Sequence, residues 1–529
     1  MRNLLILSTA LLLSACHFSS PKQSQQAEYL TVLHTNDNHG RFWQNEKGEY
    51  GMAARKTLID QLKSDAEKAG HAVILLSGGD INTGVPESDL QFAEPDFKGM
   101  SKLGYDAMAI GNHEFDNTRD VLAKQIEWAS FPVLSANILD NTNQMPAYEP
   151  YTIIERAGLT IAVLGLTTID TVKIANPKHV QGLTFIEPLA ATENWVPKIK
   201  AKYHPDVMIA VTHMGHYHGA NHGINAPGDV TLARRLPKGM LDLIVGGHSQ
   251  EPVCVDENGN EDTAFAPGKT CKPDNQNGVW IMQAHEWGKY VGKAVFRVDG
   301  DTKTLISYNL IPVNLKNKAG SVTGETIQED PQMLAFLTPF QKKGQAQIAG
   351  AVGYVDSFLD GRRSTVRFKQ SNLADLIINA QMAAVEADFG IISGGGIRDS
   401  IEQGDVSYKD VLKVHPFKNR ITYIDWKASD LINYLNIVAK FPPDSGAYLQ
   451  FNHITFDIKN DKVTNVRIAG ESLTDGKTYR MSVNSYNASG GDGYPKINHL
   501  PEYTATDLTD AQVLKDYFQK NSPIKAVDL

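Results

Sequence analysis

Five short apolar runs, rich in strand-forming residues, recur along the first part of the chain. They lie at residues 29–33, 72–76, 106–110, 207–211 and 241–245, and segments long enough for helices separate them. This pattern is typical of parallel strands in an α/β sheet. Because the loops at the carboxyl ends of such strands converge on one crevice, the residues that follow the five runs should meet in space.

A polar fragment with potential metal ligands follows each run. The fragments are T-N-D-N-H-G with Asp37 and His39, S-G-G-D with Asp80, G-N-H-E-F-D with Asn112, T-H-M-G-H with His213, and G-G-H-S-Q with His248 and Gln250. Each fragment alone is weak, since a lone His after a strand is usually structural and a lone G-G-D is usually a turn. Together they predict a site for divalent cations with oxygen and imidazole ligands, a set that suits Zn²⁺, Mn²⁺, Mg²⁺ or Co²⁺.

The rest of the chain divides by pattern into a linker and a second domain. We expect a first domain over residues 28–315, a linker with a connecting helix over 316–350, and a second domain over 351–529. Asp330 followed by Pro331 is a typical helix start, with an N-cap Asp and Pro at the first helical position. Residues 351–529 alternate helix-like stretches with short strands, which predicts an α/β or α+β domain.

Three arginines in the second half suggest a site for an anionic ligand. Arg363 and Arg367 are four residues apart, and Arg398 closely follows three glycines that begin after Ser393. Guanidinium groups suit bidentate recognition of phosphate or carboxylate, and glycine allows the backbone to approach a ligand. The alternative, a solvated charged face, fits poorly for an arginine in such a glycine-rich turn.

Composition excludes some classes of partner. The 529 residues carry a net charge of −9, and the pI is about 6.0. No broad basic surface is therefore available for nucleic acid, and any anion must bind to a local cluster of cations.

The N-terminus is predicted to be a targeting segment. Its apolar run, residues 4–13, is too short to span a bilayer as a stable helix, and L-S-A-C, ending at Cys16, resembles a bacterial lipobox. We expect a lipoprotein signal peptide over residues 1–16, with Cys16 as the lipidated residue, and a flexible tether over 17–27. The alternative is an ordinary secretory signal with an incidental cysteine. The residue after the cysteine is His17 and not Asp, which, by resemblance to bacterial sorting rules, suggests an extracytoplasmic lipoprotein of the outer membrane.

Two further cysteines flank a polar stretch. Cys254 and Cys271 are expected to form a disulfide, because a protein outside the cytosol meets an oxidising environment. Two free thiols are the alternative.

Taken together, the five fragments resemble the calcineurin-like metallophosphoesterase superfamily, and more specifically its bacterial 5′-nucleotidase branch, which includes periplasmic UDP-sugar hydrolases. The resemblance extends to the C-terminus, because P-F-K-N at 416–419 and N-S-Y-N-A-S-G-G-D-G-Y-P at 484–495 resemble motifs of the 5′-nucleotidase C-terminal domain. It implies an N-terminal four-layer α/β domain and a second α/β (α+β) nucleotide-binding domain, joined by the linker helix.

The resemblance also implies a two-metal centre with a shared carboxylate. One metal would be held by Asp37, His39, Asp80 and Gln250, and the other by Asp80, Asn112, His213 and His248. His113 and Asp116 would form a catalytic dyad in which the carboxylate orients the imidazole, although capping of the next helix is also open to Asp116. Many relatives have His where Gln250 stands, which puts tight zinc selectivity in doubt.

By the same resemblance, the second domain binds the nucleotide. Phe417 and Tyr486 would sandwich the base, Asp492 would accept hydrogen bonds from the ribose, and Asn419 and Gly446 would line the base pocket. Many relatives have Asn at the position of Ser393, and often Phe at that of Tyr486, two departures that bear on base preference.

The expected function is hydrolysis of nucleoside 5′-monophosphates to nucleoside and phosphate by a lipid-anchored, monomeric enzyme with two divalent metal ions. One alternative is a nucleotide pyrophosphatase that acts on UDP-sugars or NAD, and a 2′,3′-cyclic nucleotide phosphodiesterase is a variant of it. A non-catalytic nucleotide receptor is the alternative from another class, although a receptor has no need of the dyad.

Overall fold

The computed structural model describes residues 28–175, 179–217, 226–256 and 258–525. The predicted signal peptide, Cys16 and the tether over 17–27 lie outside the described residues. Among the helices of the described part, none has the length and apolar character that crossing a bilayer requires.

The first part of the chain alternates strands with helices. Its strands are β1 Glu28–Thr35, β2 Ala72–Ser77, β3 Ala107–Ala109, β4 Val133–Leu134, β5 Ile138–Asp140, β6 Tyr151–Arg156, β7 Leu159–Thr167, β8 Leu183–Phe185, β9 Val207–His213, β10 Leu243–Val245, β11 Asp274–Gln276, β12 Val279–Met282, β13 Tyr290–Asp299 and β14 Thr302–Pro312. Its helices are α1 Met52–Lys68, α2 Pro86–Asp89, α3 Glu94–Leu103, α4 Arg119–Trp128, α5 Thr171–Ile174, α6 Pro188–Tyr203, α7 Asp229–Arg235 and α8 Pro331–Ile348.

Two six-stranded sheets form the centre of this part. The first has the order β14-β13-β1-β2-β3-β4, and the second has the order β11-β12-β10-β9-β7-β6. Strand β3 packs on β7 and β9 across the interface, while α1 covers the first sheet and α6 and α7 cover the second. The result is the four-layer α/β arrangement that the family resemblance implies.

The five ligand-bearing runs are strands, but they do not share one sheet. Strands β1, β2 and β3 lie parallel in the first sheet, whereas β9 and β10 lie parallel in the second. The expectation of one α/β sheet is therefore corrected to two. The apolar pattern cannot make this distinction, because a strand buried on both faces reads as a continuous apolar run in either sheet.

The connecting helix α8 begins where the sequence predicts. The side chain of Asp330 accepts a hydrogen bond from the backbone N–H of Met333 at 2.6 Å, which caps the helix N-terminus. Helix α8 packs on α1, α2 and α3, and a Cβ placed on Gly344 would lie 2.7 Å from Cα of Glu87. The helix is therefore fitted closely to the first domain.

The second part of the chain has its own sheets and core. Its strands are β15 Ala351–Val355, β16 Phe389–Ser393, β17 Gly404–Ser407, β18 Arg420–Lys427, β19 Leu449–Asn452, β20 Ile454–Lys459, β21 Lys462–Ile468, β22 Glu471–Ser472, β23 Thr478–Asn484 and β24 Tyr503–Thr509. Its helices are α9 Arg363–Val366, α10 Asn372–Val385, α11 Tyr408–Val414, α12 Ala428–Val438, α13 Ser485–Ala488 and α14 Asp510–Asn521.

A mixed five-stranded sheet, in the order β19-β16-β23-β18-β24, is the main sheet of this second domain. Helices α10 and α14 pack on one face around Leu373, Ile377 and Phe518, and Tyr434 of α12 packs against Trp426 of β18. Nζ of Lys409 on α11 lies 2.8 Å from Oε1 of the buried Glu87 on α2, so a charged contact joins the two domains.

Candidate metal centre and substrate cleft

The loops that follow β1, β2, β3, β9 and β10 meet at the junction of the two sheets. Nε2 of His213 lies 2.9 Å from Oδ2 of Asp80, and Nε2 of His39 lies 3.9 Å from the same oxygen. The carboxylate of Asp37 accepts a hydrogen bond at 3.1 Å from the backbone N–H of His248, which comes from the other sheet. The structure thus brings together ligand candidates that lie more than two hundred residues apart in sequence.

Two groups of side chains have the spacing of metal sites, and Asp80 belongs to both. His39, Asp80 and His113 form one group, and Asp80, His213 and His248 form the other, with ligand atoms within 4.8 Å of one another in each. Burial alone would raise the pKa of the Asp80 carboxyl, but the imidazoles of His213 and His113 hold this pKa below its usual range. Asp80 is therefore an anion that both groups share.

The residues at this junction fit divalent cations. Oδ1 of Asn112 is buried without a hydrogen-bond partner among the described residues. Nδ1 of His213 lies 2.7 Å from the carbonyl oxygen of Gly78, so this nitrogen donates a hydrogen bond and Nε2 is the atom that a cation would bind. A Cβ on Gly111 would lie 2.1 Å from Oδ1 of Asp80, so only glycine leaves room there. An unsatisfied acceptor and oriented imidazoles are what a cation requires.

Most of the predicted ligands adopt a backbone conformation that is unusual for residues other than glycine. The φ angles of five of the seven predicted ligands are positive, at 51° for Asp37, 49° for His39, 56° for Asp80, 83° for His248 and 59° for Gln250. Such conformations cost about 1–3 kcal/mol each and persist only where the surroundings enforce them. The packing at the junction therefore holds these five residues in place.

His113 and Asp116 form a hydrogen-bonded pair at the edge of the metal site. Nδ1 of His113 lies 2.6 Å from Oδ2 of Asp116. Burial lowers the pKa of His113, but the carboxylates of Asp116 and Asp80 together raise it to about 9. The N-cap of α4 is Thr118, so Asp116 orients the imidazole and does not cap that helix.

A cavity of about 1440 Å³ opens from the metal site and extends between the two domains. Its lining includes fourteen of the predicted site residues, namely Asp80, Asn112, His113, Asp116, His248, Gln250, Arg363, Arg367, Arg398, Phe417, Asn419, Gly446, Tyr486 and Asp492. Asp37, His39 and His213 lie beneath this surface and are buried. Ligand candidates from the first domain and binding candidates from the second therefore share one cleft.

The three predicted arginines crowd one another in this cleft. Burial, together with the positive charges of Arg363 and Arg398, lowers the pKa of Arg367 to about 9. Arg363 also contacts an acidic residue, because its Nη2 lies 3.4 Å from Oδ1 of Asp444. An anion bound between the guanidinium groups would relieve their mutual repulsion, which suits a phosphate group.

Two aromatic side chains of the second domain, Phe417 and Tyr486, line the cleft. The ring of Phe417 stacks on that of His113, with centroids 5.9 Å apart and an interplanar angle of 12°. The hydroxyl of Tyr486 donates a hydrogen bond to Oδ1 of Asp492 at 3.0 Å. A base held by these rings would therefore lie beside the dyad.

Comparison with known proteins decides the family. Residues 30–252 match the model for calcineurin-like phosphoesterases, and residues 348–499 match that for the 5′-nucleotidase C-terminal domain. A 5′-nucleotidase of Vibrio cholerae is 55% identical and covers 98% of this chain and 96% of its own length. Protein UshA of Yersinia enterocolitica is 52% identical over 94% of this chain and 92% of its own length. The chain belongs to the 5′-nucleotidase family.

The solved structures agree with this assignment. A crystal structure of a 5′-nucleotidase precursor from Thermus thermophilus has a TM-score of 0.75 and 27% identity, and it covers 93% of this chain and 96% of its own. Family membership confirms the predicted two-domain α/β fold, and it makes the chain a metal-dependent phosphoesterase that hydrolyses nucleotides.

A buried polar network supports the loop after β1, which carries Asp37 and His39. The sequence alone does not reveal this network. Asn38, between Asp37 and His39, accepts a hydrogen bond from Nη2 of the buried Arg55 at 2.7 Å and donates one to Asp96 at 2.7 Å. Ser88 donates a further hydrogen bond to the other oxygen of Asp96 at 2.5 Å. Arg55, Ser88 and Asp96 lie on helices α1, α2 and α3, respectively, and no sequence motif marks them.

The predicted disulfide is present beside the cleft. Cys254 and Cys271 are joined, with Cα atoms 5.0 Å apart, and Cys254 is part of the cleft lining. The bond closes a loop that begins four residues after Gln250.

Proposed function

We propose that this protein is an extracytoplasmic 5′-nucleotidase that converts nucleoside 5′-monophosphates to nucleoside and phosphate at a two-metal centre. The observation that carries the proposal is the single cleft, in which the metal-ligand candidates face three arginines and two aromatic rings of the second domain. The stacking of Phe417 on His113 supports the proposal, because it puts the assigned base site beside the assigned phosphoryl site.

The chain's residues divide the work of hydrolysis in this proposal. One cation would be held by Asp37, His39, Asp80 and Gln250, and the other by Asp80, Asn112, His213 and His248. When bound, two divalent cations supply Lewis acidity and make water a better nucleophile at neutral pH. The protonated His113, oriented by Asp116, would stabilise charge on the phosphoryl group or the leaving oxygen. Arg363, Arg367 and Arg398 would bind the anion.

A nucleotide pyrophosphatase activity on UDP-sugars or NAD is the second candidate. The cleft volume of about 1440 Å³ exceeds the roughly 1,000 Å³ at the upper end of ordinary ligand sites, so it leaves room beyond the phosphate. Asp170, His216 and Tyr217 line part of this cleft. The same hydrolytic residues would serve both reactions, and the ratio of their rates decides between them.

Metal dependence and substrate choice test the proposal together. The protein, produced from residue 17 onward, is stripped with a chelator and then supplied separately with Zn²⁺, Mn²⁺, Mg²⁺ or Co²⁺. We expect phosphate release from AMP to disappear on stripping, to return with metal, and to exceed cleavage of UDP-glucose and NAD. A preference for either of the latter would move the assignment to pyrophosphatase, and tight AMP binding without turnover would indicate a receptor.

Base stacking is tested with Phe417→Ala. Stacking on an aromatic ring contributes about 1–3 kcal/mol per base, so the KM for AMP is expected to rise by about 5- to 150-fold. The matched control is Phe368→Ala, which removes an exposed ring outside the cleft and should leave KM unchanged. An unaltered KM in Phe417→Ala would remove Phe417 from the base site.

We further propose that residues 1–16 are a lipoprotein signal peptide and that Cys16 anchors a monomer to the outer membrane. The L-S-A-C sequence after a short apolar run supports this proposal. Metabolic labelling with a radioactive fatty acid tests it, because Cys16→Ser should abolish the label. Labelling that persists in that variant would contradict the anchor.

A further inference from the structure

One fully buried carboxylate, that of Glu114, lies between two of the ligand loops and has no role in the mechanism above. It follows His113 in a single 3₁₀ turn, and its exposed fraction is 0%. Burying a carboxylate in a protein interior is costly unless hydrogen bonds replace its hydration. A group of this kind therefore requires an explanation at its position.

Both oxygens of Glu114 accept hydrogen bonds from backbone N–H groups. Oε1 accepts from Ile81 at 2.8 Å and from Asn82 at 3.3 Å, and the side-chain amide of Asn82 donates to it at 3.3 Å. Oε2 accepts from Gly111 at 2.7 Å and from Asp80 at 3.1 Å. The carboxylate thus holds the loop after β2 with one oxygen and joins it to the loop after β3 with the other.

The loop after β2 carries Asp80, the ligand candidate that both cation positions share. The loop after β3 carries Asn112, a ligand candidate for one of those positions. The contact is reciprocal, because the backbone N–H of His113 donates to Oδ1 of Asp80 at 3.0 Å. The loops have little freedom to shift, since a Cβ on Gly111 would lie 2.1 Å from that same oxygen. Moreover, Asp80 has a φ of 56°, a strained conformation that its surroundings must enforce.

We propose that Glu114 is a positioning residue that sets the spacing between Asp80 and Asn112, and thereby the affinity for the cations that Asp80 holds. The inference rests on the proposed metal centre. It gives Glu114 a role distinct from those of its two neighbours. In the proposed mechanism Asn112 binds a cation and His113 acts on the phosphoryl group, whereas Glu114 holds the two loops together.

The test is a titration of metal-stripped Glu114→Gln with Mn²⁺ by isothermal calorimetry, beside the wild type. Glutamine keeps the shape, but it replaces one acceptor with an NH₂ group that faces backbone donors. Loss of groups that orient metal ligands typically weakens binding by about 10- to 100-fold, and we expect a loss of Mn²⁺ affinity in that range. The rise in unfolding temperature that Mn²⁺ produces should shrink in parallel.

The matched control is Glu87→Gln, which alters another glutamate that is almost fully buried, at 1% exposure, but pairs with Lys409 away from the metal site. It should lower the unfolding temperature of the metal-free protein without changing Mn²⁺ affinity. Glu114→Asp is the second variant: it keeps the charge, but it is one methylene shorter and cannot reach the donors of both loops. It should also bind Mn²⁺ more weakly.

Wild-type affinity for Mn²⁺ in either folded Glu114 variant would overturn the inference. An equal loss of affinity in Glu87→Gln would overturn it too, because the effect would then be general destabilisation. If the wild type binds one Mn²⁺ and not two, the two-metal proposal fails, while the effect of Glu114→Gln on the remaining site still decides the role of Glu114.

Discussion

A chain with Asp80→Asn is expected to remain folded and to lose detectable phosphate release from AMP. Asp80 is 1% exposed and belongs to both groups of ligand candidates, so one substitution affects both cation positions. Asparagine has nearly the same shape but is neutral and offers one oxygen. The loss of metal affinity should therefore exceed the roughly 100-fold upper figure for residues that merely orient ligands.

Two measurements check this expectation: elemental analysis gives metal per chain, and a phosphate assay gives turnover. The control is Asp242→Asn, which alters a carboxylate at the opposite, amino-terminal end of β10, where Asp242 accepts a hydrogen bond from the backbone of Met208 at 2.8 Å. That variant should keep its metal content and its activity. Full metal content and near-normal turnover in Asp80→Asn would contradict the shared-ligand assignment.

His113→Ala is expected to lower kcat for AMP by about 10²- to 10⁴-fold, the range for loss of a general acid or base. Because His113 is assigned to the phosphoryl group and not to a cation, metal content should stay at the wild-type level. This second readout is decisive, since His113 also lies within ligand distance of His39 and Asp80. A fall in bound metal would make His113 a ligand.

Asp116→Asn should reproduce part of this loss, because it weakens the 2.6 Å contact that orients the imidazole. Combined with His113→Ala, it should add little, since residues that act as a unit give strongly non-additive effects. His71→Gln, at a histidine remote from the cleft, is the control for the loss of an imidazole. Additive losses in the double variant would show that the two residues act independently.

The sequence predicts that the ligand candidates lie close together, for a physical reason. Asp37 and Asp80 follow buried strands and His213 ends one, and strand ends in α/β folds converge. The same reasoning cannot assign strands to sheets: β1 to β3 and β9 to β10 are equally apolar, and only the structure places them in different layers.

The residues that hold the ligand loops in place are harder to identify from the sequence. Arg55 lies in the first turn of helix α1, where an arginine is ordinarily solvated, yet it is 1% exposed and bonds to Asn38. Its role depends on a tertiary contact with no local pattern. The positive φ value of Gln250 is likewise imposed by the packed junction, because glutamine has no intrinsic preference for that region.

Because the ligand candidates are divided between two sheets, catalysis depends on the assembly of both sheets. Asp37, His39, Asp80 and Asn112 come from one sheet, and His213, His248 and Gln250 come from the other. On the proposed assignment neither layer alone has a complete ligand set, so we expect a growing chain that ends before β9 to be inactive, however well its first strands have formed. Recovery of turnover after refolding therefore measures docking of the two layers, an event that circular dichroism of the separate helices and strands would not distinguish.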